Sequence, residues 1–298
     1  MELDLAQLRA LEATVAAGSL DGAAQALHIT PSAVSQRLKA LETATGRVLL
    51  VRSRPVRVTE SGQAVLRLAR QVAVLTADLT RQLVGDEARG PVVLPIAVNA
   101  DSLATWVLPA LAPLAGDLAF DLHREDQERT AALLRDGRVM AAITADAQPV
   151  PGCTVSRLGS VRYRPMATAA FVERWFPDGV TEETLARAPV VVFDRTDDLQ
   201  YSYLRARGVD TDRPPVHHVP ASADYVTAVR LGFGWGMVPR QQEPPGELVD
   251  LDPGGAVDVV LYWQQWKLRS PSLDRVAEAV RSTARRELDQ APGPPPSG

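Results

Sequence analysis

Residues 19–42, SLDGAAQALHITPSAVSQRLKALE, constrain this chain more than any other stretch, because they read as two helices joined by a tight turn. Asp21 is placed to cap the first helix, and Ala23, Ala24 and Ala26 are small enough to let another helix come close. His28, Ile29 and Thr30 make the turn. Thr30 has N-cap chemistry, and Pro31 follows at the first helical position, where a backbone N–H would have had no partner. Val34, Leu38 and Leu41 recur at i, i+4 and i+7 and form one buried stripe. The opposite face carries Ser32, Ser35, Gln36, Arg37 and Lys39, all hydrogen-bond donors, with no acid among them. An apolar back and a donor-rich front suit the DNA major groove. An ordinary amphipathic hairpin would share the periodicity, but the surrounding charge favours DNA. Between residues 37 and 57 the basic side chains are Arg37, Lys39, Arg47, Arg52, Arg54 and Arg57, against the single acid Glu42. Residues 48–52 and 56–58 form a candidate β-hairpin turning through Ser53-Arg54-Pro55. Such a wing can lie along phosphates, adding salt-dependent affinity.

The whole chain of 298 residues carries a formal charge of −4, which by itself would not suggest nucleic acid. The distribution does. The first 90 residues hold 11 basic and 9 acidic side chains; the remainder hold 21 and 27. A mildly basic head on an acidic body fits a DNA-binding module attached to something else. Cys153 is the one cysteine, so no intrachain disulfide forms, and a reducing compartment is expected. The chain shows no signal-peptide pattern and no run of ~18 apolar residues, so a cytoplasmic, non-membrane protein is expected. His28, His123, His217 and His218 are scattered without metal-ligand spacing, and no nucleophile elbow or P-loop appears, which argues against an enzyme.

Residues 4–16 read as a first helix. After the wing, Thr59-Glu60-Ser61-Gly62 opens a long helix to about residue 84, with Val65, Leu68, Val72, Leu75, Leu79 and Leu83 on one face. That face either packs on its own domain or seeks a partner helix. Residues 85–91 form a Gly- and Pro-containing hinge. From residue 92 the pattern becomes strand, helix, strand, helix, strand, which predicts parallel crossovers with ligands beyond the strand carboxyl ends. Those ends carry Asn99, Ala100, Asp101 and Ser102, then Glu125 and Asp126, then Thr144. The expected organisation is a DNA-binding head over 1–58, a linker helix and hinge over 59–90, and an α/β body over 91–298. In that body one lobe covers about 91–160 and 268–290 and a second about 161–267, with a disordered tail over 291–298.

Several runs together carry a family resemblance. In the head they are Leu8, Leu11, Gly18-Ser19-Leu20, Ala23-Ala24, Leu27-His28-Ile29-Thr30, Ser32-Ala33-Val34-Ser35-Gln36-Arg37, Leu41-Glu42, Gly46, Leu49-Leu50, Arg52 and Thr59-Glu60-Ser61-Gly62. These resemble the DNA-binding domain of LysR-type transcriptional regulators, with one departure: here proline precedes the polar residue that opens the recognition helix. Residues 96–102, Glu125-Asp126-Gln127, residues 149–153, residues 232–237 and residues 262–268 resemble the ArgP/LysG branch of that family. The resemblance implies a winged helix-turn-helix, a linker-helix homodimer assembled into a homotetramer, and a two-lobed effector domain like a periplasmic binding protein. It also implies double-stranded DNA with dyad-related half-sites and RNA polymerase as partners, and activation of a basic amino-acid exporter gene by L-lysine, L-arginine or histidine. No cofactor is expected.

The expected DNA contacts are Thr30, Pro31, Ser32, Ser35, Gln36, Arg37, Lys39, Arg52, Arg54 and Arg57. For the effector, Ser102 and nearby helix N-terminal amides suit a carboxylate, and Asp101, Glu125 and Asp126 suit cationic groups. Thr144 suits either end, and Asp224 and Tyr225 offer groups from the second lobe. Glu125 and Asp126 have an alternative in Arg124 and Arg129. Trp235, Trp263 and Trp266 read as core, and Gly232, Gly234 and Gly236 as points of close backbone approach. An effector-independent architectural DNA binder, such as an inhibitor of replication initiation, is the competing function.

Overall fold

The computed structural model describes residues 2–51, 53–84, 92–125 and 127–290; Arg52, the expected hinge, Asp126 and the expected tail lie outside the described residues. Three helices, α1 (Leu5–Ala17), α2 (Leu20–Leu27) and α3 (Pro31–Thr45), precede a short hairpin of β1 (Leu50–Val51) and β2 (Arg57–Val58). Ser19, rather than Asp21, caps α2: its hydroxyl accepts from the Gly22 amide at 3.1 Å, and Asp21 stands exposed in the first turn. Serine sits one position outside the helix, where a short side chain reaches the N3 amide. Thr30 caps α3 as expected. His28, at φ 53°, turns the chain between α2 and α3. Leu8, Leu11, Ala23, Val34, Leu41 and Leu49 close into one core with Leu66 and Ala69 of α4 (Glu60–Val84). The hairpin strands are shorter than expected. The wing turn is held instead by side-chain and loop bonds: Ser53 Oγ to the Pro55 carbonyl, and the Val56 amide to the Gly18 carbonyl.

Thr59 opens α4, accepting from the Gly62 amide and donating to the Val48 carbonyl. One face of the long helix packs on its own chain, as in the first of the two readings. Leu66 and Ala69 pack on the head, and Val74 enters the core of the body. Leu68, Leu75, Leu79 and Leu83 stay exposed along one side.

In the body, β3 (Val92–Val98) leads into a helical segment. It starts as α5 (Ala100–Ser102), widens to a π turn over Leu103–Val107, and continues as α6 (Leu108–Leu111). Then come β4 (Leu118–Arg124), α7 (Gln127–Arg135), β5 (Ala141–Thr144), β6 (Cys153–Ala167), α8 (Ala169–Trp175), α9 (Glu182–Leu185), β7 (Val190–Val192), α10 (Leu199–Arg205), β8 (Val216–His218), α11 (Ser222–Arg230), β9 (Gly236–Pro239), β10 (Val249–Asp250), β11 (Val257–Trp266) and α12 (Pro271–Glu287). Strands β4, β3 and β5 are parallel, and β11 joins them antiparallel to β5. Strand β6 begins at Cys153, ahead of the second lobe expected from about 161. Its first part pairs with the end of β11 beside β5, and its last part pairs with β9 and β10. The β6–β11 ladder shifts register at Leu261/Tyr262, opposite Gly159. In the second lobe β7 and β8 are parallel, and Val190 bridges Trp235.

Trp235, Trp263 and Trp266 are buried core, and Gly236 lies where any Cβ would collide with the Tyr225 ring. Cys153 is buried, and burial pushes its thiol up to about 11, so it behaves as a small hydrophobe.

The linker is docked on the first lobe by polar contacts. Asp78 is buried and accepts from the hydroxyls of Ser270 and Ser272, the N-cap and second residue of α12. Arg81 donates to the Asp117 carbonyl at 2.8 Å. Placing a carboxylate at a helix N-terminus is favourable. Asp78→Ala leaves two buried hydroxyls without their acceptor and is expected to cost about 2–3 kcal/mol. Urea denaturation of Asp78→Ala against wild type checks this, with Asp78→Asn expected to lose less.

Candidate functional site

Two surfaces concentrate the expected chemistry. The first is the exposed side of α3 and the wing. Thr30, Pro31, Ser32, Gln36 and Lys39 are exposed, Ser35 and Arg37 half-buried, and Val34, Leu38 and Leu41 face inward. Arg54 and Arg57 are exposed on the wing. None of Arg37, Lys39, Arg54 and Arg57 forms an ion pair within 4 Å among the described residues, so their charge stays available to phosphates. Arg52 lies outside the described residues.

The second surface is the cleft between the lobes. Asn99 ends the strand β3 run, and Asp101 follows in the first turn of the helical segment. The Asp101 carboxylate crosses from the first lobe to the second. It accepts from Tyr163 Oη of β6 at 2.6 Å and from Ser222 Oγ, at the start of α11, also at 2.6 Å. Gln242 Nε2 donates in turn to Ser222 Oγ. Arg124 adds a further bond between lobes, to the Pro220 carbonyl at 2.9 Å. The cleft is therefore closed over Asp101.

Around this contact lie groups that only the fold brings together. Asp197, in the loop between β7 and α10, accepts from the Phe193 amide at 3.2 Å and the Leu199 amide at 3.1 Å. Burial, joined by the charges of Asp101 and Asp194, pushes its carboxyl above the ordinary range. Tyr163 is pushed well up by burial and by Asp101, and Tyr225 by burial and by Asp197. Gln200 Nε2 donates to Tyr225 Oη at 2.7 Å. Neither Asp101 nor Asp197 has an ion-pair partner among the described residues. Two carboxylates in a closed cleft without a cation are an arrangement that a positively charged ligand would complete. Among the described residues the Ser102 hydroxyl, Asn99 Oδ1 and Gln200 Oε1 are buried without a hydrogen-bond partner, each an uncompensated polar atom.

Other expected contacts fall differently. Glu125 takes its structural alternative, pairing with Arg129 at 3.4 Å. Asp126 lies outside the described residues. Thr144 is buried and holds the Asp146 amide at 3.1 Å. Asp224 is exposed, while Ser222 and Tyr225 are the α11 side chains joined to the cleft. Ala100 is half-buried beside Asp101. Sequence reasoning missed Tyr163, Asp197, Gln200, Ser222 and Gln242. Asp197 carried one signal, an acid just beyond the carboxyl end of a strand in the second lobe.

Among the described residues no helix is long and apolar enough to cross a membrane, and no group of three His, Cys, Asp or Glu is placed to hold a metal. Two family models match. One describes the bacterial regulatory helix-turn-helix protein of the lysR family and covers residues 5–63; the other describes the LysR substrate binding domain and covers residues 85–285. The transcriptional regulator LysG of Mycobacterium tuberculosis is 43% identical over 290 residues, spanning 95% of this chain and 94% of the relative. The crystal structure of ArgP from Mycobacterium tuberculosis superposes with a TM-score of 0.86 at 42% identity, covering 97% of this chain and 99% of that one. Full-length LysG from Corynebacterium glutamicum with bound effector Arg superposes with a TM-score of 0.78 at 39% identity, covering 96% and 99%.

Proposed function

This chain belongs to the LysR family of bacterial transcriptional regulators, of the ArgP/LysG type and not an enzyme, and from that premise we propose that it senses a basic amino acid. In this reading L-arginine or L-lysine enters the cleft and the chain controls, by activation, a gene for basic amino-acid export. The observation that carries it is Asp101, a first-lobe carboxylate bonded by two hydroxyls of the second lobe and paired with no cation among the described residues. An α-ammonium or a distal cation replaces the weaker hydroxyl partners, while helix N-terminal amides near Ser102 receive the α-carboxylate. The arginine bound to LysG of Corynebacterium glutamicum supports the same ligand class here. On the DNA side, α3 reads the major groove and Arg54 and Arg57 follow the phosphates. The exposed Leu68, Leu75, Leu79 and Leu83 form the face through which α4 pairs with a second copy. Two such dimers make the tetramer that meets dyad-related half-sites and RNA polymerase. Ligand works by linkage, shifting lobe positions only as far as its affinity differs between them.

Thermal unfolding of the full chain with each amino acid tests this. At ~100 times its Kd, arginine or lysine should stabilise by roughly 2.7 kcal/mol, and norleucine should not. Absence of any response to basic amino acids would overturn the sensor reading in favour of an architectural DNA binder.

A further inference from the structure

We propose that Asp197 is the residue that reads the distal cation of the effector, while Asp101 takes the α-ammonium, so that the two lobes together measure the separation of two positive charges. This rests on the basic amino-acid reading above and assigns the specificity within it.

The assignment follows from where each carboxylate is anchored. Asp101 sits in the first turn of the helical segment that begins at Ala100. The amides of that turn are the ones that suit an α-carboxylate. An α-ammonium is one carbon away from that carboxylate by covalent structure, so the acid of the same turn receives it. Asp197 belongs to the other lobe. Its two oxygens are fixed by the Phe193 and Leu199 amides. A carboxylate has about four acceptor positions, so two bonds leave capacity on each side. The loop is shaped for this: Asp194 holds the Thr196 and Asp197 amides and the Thr196 hydroxyl, and so sets the turn that presents Asp197.

Three second-lobe cations are committed elsewhere, while Arg195 of the same loop stands exposed and pairs with no acid within 4 Å among the described residues. Arg164 pairs with Glu243 and Asp250, Arg205 with Asp198, and Arg207 with Asp252. Gln200 supplies an independent sign of a ligand. It is 1% exposed, its Nε2 is tied to Tyr225 Oη, and its Oε1 has no partner. Tyr225 follows Ser222, the partner of Asp101, by one turn of α11, and Gln200 follows the Leu199 amide that Asp197 holds, so this orphaned acceptor lies on the path between the two acids. A guanidinium or ammonium, which carries several N–H donors, satisfies Asp197 and Gln200 together.

The test is calorimetry on the full chain with five ligands: L-arginine, L-lysine, L-ornithine, L-citrulline, which lacks the distal charge, and Nα-acetyl-L-arginine, which lacks the α charge. Wild type should prefer arginine over either neutralised analogue by about 100-fold. Asp197→Asn should bring arginine and citrulline within about threefold of each other while still discriminating against Nα-acetyl-arginine. Asp101→Asn should do the converse. Asp197→Glu, which advances the carboxylate by one methylene, should shift preference toward L-ornithine and thereby guards against a folding defect in the asparagine variant. An unchanged arginine-to-citrulline ratio in Asp197→Asn, or the converse pattern between the two variants, overturns the assignment. If wild type binds neither arginine nor lysine, the sensor reading itself fails, and this assignment with it.

Discussion

Gly62→Ala is expected to unfold the DNA-binding head while leaving the two lobes able to bind ligand. Gly62 is the third residue of α4, directly against the start of the wing. A Cβ built there would fall well inside contact distance of the Leu49 carbonyl oxygen, 2.9 Å from that carbonyl carbon and 2.7 Å from Val58 Cγ1. The carbonyl cannot retreat. It accepts the Thr59 amide at 3.0 Å, and Thr59 Oγ1 ties the neighbouring Val48 carbonyl at 2.7 Å. Leu49 itself is buried in the head core. Overpacking against fixed backbone costs about 3 kcal/mol or more. A head of this size has little stability to lose, because small cores bury a smaller fraction of their surface. Fluorescence anisotropy on operator DNA should show binding lost, while calorimetry with arginine retains the wild-type affinity. Retention of DNA binding would mean that the wing can be displaced from α4 without penalty.

The second large effect is at Asp101, where ligand affinity and unliganded stability should respond differently. Asparagine keeps an oxygen for Tyr163 or Ser222 but removes the charge. Losing one member of a buried charge pair costs roughly 2–5 kcal/mol in binding, so Asp101→Asn should weaken arginine by at least about 30-fold. Without ligand the variant should be as stable as wild type or more so, because a carboxylate held without a cation is an electrostatic liability. Thermal midpoints with and without arginine separate the two. A variant that loses unliganded stability and keeps its ligand would mean that Asp101 is only a cross-lobe tie.

The head was legible in the sequence because its determinants are local. Thr30, Pro31 and the Val34-Leu38-Leu41 stripe lie within a dozen residues, and capping and periodicity act at that range. The Asp21 expectation missed by two positions, since serine outside the helix competes for the same amide. The cleft was legible only on its first-lobe side. Asp101 could be found because a parallel strand end announces it. Its partner Ser222 lies 121 positions away and is defined by how the second lobe folds back. Asp224 stands out in the sequence by its charge, but α11 begins at Ser222, which places the serine at the lobe contact and the acid in solvent. The early part of β6 was missed for another reason. Its alternation is interrupted at Gly159, where the ladder with β11 shifts register.

That interrupted ladder is also the place where α12 ends. Ser160 and Asp289 exchange backbone bonds at 2.9 and 3.0 Å just behind the register shift. The opposite end of α12 holds Asp78 of the linker through Ser270 and Ser272. A 17-residue helix spans about 25 Å and is stiff along its axis. It therefore acts as a tie-bar: the interrupted ladder at Gly159 and the linker that carries the DNA head are joined end to end by one stiff member.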